Sequence, residues 1–157
     1  MSHPKKDEGE KLVASNRKAF FNYEVTERIE AGVVLAGTEV KSIREGGFNF
    51  SDSYVKFDKG EMWLIGCRIG PYSHGNQTNH LEKRDRKLLM KKREILKLGG
   101  RATEKGFTLV PLRAYFKDNR FKVEIGLARG KQSHDKRAAL RKKDVDRETR
   151  AALSARR

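Results

Sequence analysis

The chain has 157 residues, and its 36 lysines and arginines against 21 acidic residues give a formal charge of +15. That length suits one domain, that charge points to an anionic partner, and 36% hydrophobic residues put it at the lower edge of globular composition. No run of about 18 apolar residues occurs, residues 1 to 18 lack the apolar stretch of a secretory signal, and the lone Cys67 excludes an internal disulfide, so the expectation is no membrane contact and a reducing, cytoplasmic setting.

In chain order, Phe20 to Ile29 is rich in aromatic and β-branched residues and Gly32 to Leu35 gives a second short run, so two strands with a turn near Glu30 are expected. Thr38 can cap a short helix carrying Val40 and Ile43 on one stripe, Lys41 and Ser42 on its polar side, and Gly46 and Gly47 at its end. Ser53 to Phe57 and Met62 to Ile69 flank Asp58, Lys59 and Gly60 as a hairpin. Pro71 to Asn79 is a loop by composition. From Arg84 to Leu98, Leu88, Leu89, Ile95 and Leu96 hold one helical face, with Gly99 and Gly100 as a stop; Arg84, Arg86, Lys87, Lys91, Lys92, Arg93 and Lys97 then take most of the remaining circumference. A second hairpin joins Phe107 to Phe116 with Phe121 to Leu127, where Phe121, Val123, Ile125 and Leu127 alternate with Lys122, Glu124 and Gly126.

This pattern predicts a mainly β fold: a small, closed, six-stranded barrel of the oligonucleotide-binding type, with about three short helices. Leucine, isoleucine, valine and phenylalanine supply 31 of the 110 residues from Ala19 to Ala128, but only Leu140, Val145 and Leu153 in the last 29. The chain therefore divides into a lead-in (1–18), an RNA-binding barrel (19–128) and a basic tail (129–157) too poor in apolar residues to fold alone. Residues 80–101 and 129–157 together carry +13 of the charge. Two basic runs flanking a compact core favour nucleic acid over an anionic membrane surface.

His3, His74, His80 and His134 do not stand at zinc-ligand spacing with Cys67 or with each other, and there is no phosphate loop, nucleophile elbow or HExxH pair. His74 and His80 could serve a metal-independent ribonuclease with Lys83 or Arg84 holding phosphate, or simply be loop histidines. The expectation is no enzyme, no metal and no cofactor. What remains is binding: cations for phosphates, and aromatic rings, most of them core residues, for unpaired bases. Arg84, Arg86, Lys87 and Lys91 are the candidate phosphate contacts.

Asn16-Arg17-Lys18-Ala19, Tyr23-Glu24-Val25, Glu30-Ala31-Gly32, Gly37-Thr38-Glu39-Val40-Lys41-Ser42, Asp52-Ser53-Tyr54-Val55, Arg86-Lys87-Leu88-Leu89, Leu109-Val110-Pro111-Leu112, Lys122-Val123-Glu124 and His134-Asp135-Lys136-Arg137 follow one another as in the SsrA-binding proteins, the small protein B family, which the chain resembles from residue 16 to 137. The resemblance implies a bacterial partner of transfer-messenger RNA (tmRNA) that grips its tRNA-like domain and serves trans-translation on stalled ribosomes. Alanyl-tRNA synthetase and elongation factor Tu would be met indirectly, through the RNA. It further implies RNA-binding roles for Glu30, Leu89 and Lys122. The tail, with His134, Asp135, Lys136, Arg137, Arg141, Lys142 and Lys143, would enter the empty messenger channel near the decoding centre and become helical there. His134 stands where many members have tyrosine, His80-Leu81-Glu82-Lys83 replaces the usual His-Glu-Pro, and Gln132 interrupts the common Gly-Lys-Lys. A constitutive ribosomal protein is the structural alternative, for which the tail would be equally suitable. Ala138, Val145 and Ala152 recur every seven residues, and Lys142 with Asp146 and Asp146 with Arg150 form opposite-charge pairs, so helix is accessible to the tail without being self-sustaining.

Overall fold

A computed structural model describes residues 10–73, 79–104 and 106–131. Among them the chain forms β1 (Glu10–Ser15), α1 (Arg17–Asn22), β2 (Tyr23–Val33), α2 (Gly37–Arg44), β3 (Phe48–Asn49), β4 (Tyr54–Asp58), β5 (Glu61–Ile65), β6 (Arg68–Ile69), β7 (Arg86–Leu89), α3 (Lys92–Ala102), β8 (Phe107–Lys117) and β9 (Arg120–Gly130). Seven strands join in the order β1-β8-β9-β2-β7-β5-β4, and β3 pairs with β6. Met62 and Leu64, Leu88, Ala31, Val123, Ile125 and Leu127 line one face of this curved sheet, and Ile43 of α2 with Ile95 and Leu98 of α3 close over it as the main core. Gly126, Ala128 and Val25 belong to the opposite, outer face. Ala19 of α1 is buried there with Val110, Leu112 and Ala128, so α1 covers one end of that face.

Both expected hairpins are present, and their turns explain why they could be read. Lys59 and Gly60 in one, and Asp118 and Asn119 in the other, adopt positive φ, the backbone of tight turns. The short helix after Gly37 also forms, but its N-terminus is held differently from the expected Thr38 cap. The Glu39 carboxylate accepts the Ala36 N–H at 2.8 Å, while Thr38 bonds His80. Ser42 turns inward and donates to the Gly70 carbonyl.

The main expectation that fails is closure. The described residues form nine strands rather than six, seven in one sheet and two in another, and the long sheet stays open between β1 and β4. Pro111 of β8 has no N–H to donate and sits at a bulge. Asn16 then occupies the neighbouring carbonyls, donating from its backbone to Leu112 and from its side chain to Pro111, both at 2.8 Å. These two carbonyls are taken by Asn16 and not by a further strand. The lead-in contributes β1 to the sheet, because Glu10–Ser15 pairs with β8, and β9 continues two residues beyond Ala128.

Two local readings also change. Phe20 and Phe21 lie in α1, capped by Asn16, and β2 runs through Glu30 with no turn: Ala31 is small because it faces the core and Gly32 because Leu89 leans over it. The basic helix expected from Arg84 begins only at Lys92; Arg86–Leu89 is a strand in which Arg86 and Leu88 point inward and Leu89 outward. Gly99 and Gly100 do not stop α3. A Cβ at Gly99 would stand 2.7 Å from the Phe57 ring, whereas one at Gly100 meets open space. Gly99→Ala is therefore expected to lose about 1–3 kcal/mol through overpacking. Gly100→Ala should gain about 0.5–1 kcal/mol. Denaturant midpoints of the two variants read this difference.

Candidate nucleic-acid interface

Residues directly opposite in an antiparallel ladder share a face, so register decides which side chains meet. Leu12, Tyr115, Lys122, Gly32 and Leu89 form one row across β1, β8, β9, β2 and β7 on the outer face, beyond the end covered by α1. Glu30 and Glu124 make the next row, continued by Arg113. The three residues singled out by resemblance, Glu30, Leu89 and Lys122, are thus brought together around Gly32 from three adjacent strands. Leu89 is 54% exposed although its neighbour Leu88 is in the core, and Gly32 leaves room for it, with a Cβ built there only 3.3 Å from the Leu89 Cβ.

The carboxylate of Glu30 is held in place. It accepts the Tyr115 hydroxyl at 2.5 Å, and the Lys117 ammonium lies 3.7 Å away. Burial, then the Glu30 bond, raises the Tyr115 pKa, so the phenol stays a donor. Tyr115 is buried, as expected of the aromatic residues, yet it lies on the outer side of the sheet and supports the surface from below. The alternation with inward-facing Phe116 is the sequence signal that could have identified it. Above the ring, at 5.0 Å, Arg113 reaches Glu10 at 3.1 Å and Glu124 at 3.2 Å. Although burial opposes its charge, the Glu124 bond and the acidic neighbours raise its pKa. Lys122 is half-buried, makes no ion pair among the described residues and is available for an external anion.

The four candidates from the basic run separate. Lys91 is exposed at the start of α3, two residues beyond Leu89, and is followed by exposed Lys92 and Arg93. Lys87 is on the outer face, paired with Glu61 at 2.9 Å. Arg84 is turned partly inward, bonding Glu39 and the Val34 carbonyl. Arg86 is fully buried and is corrected here from a phosphate contact to a structural cation: its Nε donates to Glu39 at 2.6 Å, and its Nη1 to the Cys67 carbonyl at 3.1 Å. Burial disfavours the Glu39 carboxylate, but bonds from Arg84, the Ala36 N–H and Arg86 outweigh it and hold its pKa below the ordinary 4.5. Burial pushes the Cys67 thiol upward against the pull of Arg86, so this cysteine is inert rather than nucleophilic.

The ribonuclease alternative finds no support at His80. Its Nε2 lies 3.0 Å from the Ile69 and Gly70 carbonyls and its Nδ1 2.9 Å from the Thr38 hydroxyl, which engages both nitrogens. His74 and the tail residues His134, Asp135, Lys136, Arg137, Arg141, Lys142 and Lys143 lie outside the described residues. Among the described residues no three potential ligands gather for a metal, and no helix is long and apolar enough to cross a membrane.

Known proteins resemble this chain over most of its length. The family model described as SmpB protein matches residues 13–155. An SsrA-binding protein of Carboxydothermus hydrogenoformans is 54% identical over 147 residues, covering 94% of this chain and 99% of the relative. One from a Nocardioides species is 52% identical over 151 residues, covering 96% and 95%. A solved structure described as "tmRNA-SmpB: a journey to the center of the bacterial ribosome" superposes with a TM-score of 0.65 at 44% identity, covering 82% of this chain and 94% of the other.

Proposed function

The chain belongs to the SmpB protein family, and from that premise we propose that it binds tmRNA through the open half of its outer sheet face and brings it to stalled ribosomes in trans-translation. The observation that carries the assignment of the surface is the meeting of Glu30, Leu89 and Lys122 around Gly32. Each contributes a different chemistry. A buttressed carboxylate accepts from base or ribose donors but repels phosphate, an exposed leucine packs on an unstacked base, and an unpaired ammonium neutralises phosphate. Together they select a folded RNA with an opened-out loop over a plain duplex, and the exposed cations at the start of α3 add attraction that falls steeply with salt.

The action is stoichiometric binding in the cytoplasm, without catalysis. Alanyl-tRNA synthetase and elongation factor Tu meet the protein through the RNA it carries. Residues 129–157, with 11 basic and 4 acidic side chains, are suited to the messenger channel of the ribosome, ordering there as a helix.

Leu89→Ala and Lys122→Ala are each expected to weaken binding of a tRNA-like-domain transcript about tenfold, roughly 1.4 kcal/mol for each lost contact. Unfolding midpoints should stay at the parent value because both side chains point away from the core. Titrations with the labelled transcript at fixed salt measure this, and unchanged affinity in both variants would remove the face from the interface.

A further inference from the structure

The molecule has one tryptophan, and it does not serve the core. On β5, Met62 and Leu64 are completely buried, while Trp63 between them projects to the other side and joins neither packed cluster. It is half-buried, and its side chain makes no hydrogen bond or ring contact among the described residues. Register gives it particular neighbours: Lys56 of β4 lies directly opposite on one side and Lys87 of β7 on the other, so the outer-face row reads Lys56, Trp63, Lys87. Lys87 and Leu89 lie two apart on β7 and share a face, which makes this row continuous with Leu89, about 7 Å further along the strand.

Lys56 makes no ion pair among the described residues, and Lys87 is held by Glu61 in a pair whose partners are both 42% exposed. Such a pair is worth only about 0–1 kcal/mol and is screened by salt, so it yields readily to a phosphate. An indole between two ammonium groups is the combination that takes an unpaired nucleotide, with the ring against the base and the cations on the phosphates beside it. A stretch of single-stranded RNA leaving Leu89 would meet it next.

We propose that Trp63, flanked by Lys56 and Lys87, is a second stacking position of the RNA-binding face, receiving an unpaired base of the same RNA strand that contacts Leu89 and Lys122. The proposal rests on the reading that this face binds tmRNA. The alternative, a surface aromatic that only steadies the β4–β5 hairpin, predicts a loss of stability and none of affinity.

The full-length protein titrated with a tRNA-like-domain transcript tests it directly, since all indole emission comes from this position. Stacking is expected to quench the emission at stoichiometric RNA and to protect the indole from acrylamide. Trp63→Ala should weaken binding about tenfold, with Trp63→Phe recovering most of the loss. If the transcript binds tightly while emission and acrylamide access stay unchanged, or if Trp63→Ala binds as the parent does, the stacking role is overturned and the binding face stands. If the parent protein fails to bind the transcript at all, the broader reading falls as well. Should Trp63→Ala not fold, the emission of the parent and the affinity of Trp63→Phe still decide.

Discussion

Glu39→Ala is expected to remove about 3–5 kcal/mol of folding stability, because it leaves Arg86 as an uncompensated charge in the interior. Both side chains are completely inaccessible, and the carboxylate joins elements far apart in sequence: it receives the Ala36 N–H at the start of α2 and the guanidinium of β7. Replacing both partners by methionine should recover most of the loss, since a buried pair gains little over apolar side chains of similar volume. Acid dependence gives a second signature. The folded pKa of Glu39 lies below the ordinary 4.5. Its stabilisation is therefore fully present above that value and is lost as pH falls through the folded pKa. The gap between parent and Glu39→Ala should be widest near neutral pH and close in acid, as urea midpoints from pH 7 down to pH 3 would read.

Truncation after Lys131 should leave RNA binding and the fold intact while peptide tagging on stalled ribosomes falls to background. The cut belongs there and not after Ala128, which is completely buried in β9; the Lys131 N–H still bonds the Asn22 carbonyl at 2.9 Å. Removing residues 132–157 takes away nine basic and four acidic side chains, so the formal charge falls from +15 to +10. Loss of nonspecific polyanion affinity and a shallower salt slope follow. Tagging and binding must be assayed on the same preparation; tagging that persists at the parental rate would remove the tail from the decoding centre.

Sequence reasoning succeeded where local signals suffice. The β4–β5 and β8–β9 hairpins show alternation and turn residues within a dozen positions, and α2 shows its glycine boundaries. It failed where a distant partner overrides the local pattern. Arg86 looks like a surface cation because the carboxylate that buries it lies 47 residues away. Phe20 to Asn22 carries strand-type residues, yet the side-chain cap of Asn16 makes it the end of a short helix, and the expected strand begins only at Tyr23. The open sheet follows from a long-range strand order, running from β1 to β4, that no local run of residues announces. Glu30, Leu89 and Lys122 were nominated by likeness of short strings, but that they surround one glycine follows only from the register of three strands.

The open sheet has a consequence for how the protein behaves at high concentration. Among the described residues its two terminal strands, β1 and β4, carry no further paired strand, and unpaired strand edges are the usual route to aggregation. The lateral rims are defended by composition: exposed Lys11 stands on one, exposed Lys56 and Asp58 on the other. Joining two molecules side by side would force these charges out of water. The same residues that keep an unclosed sheet from polymerising leave its outer face accessible to a polyanion.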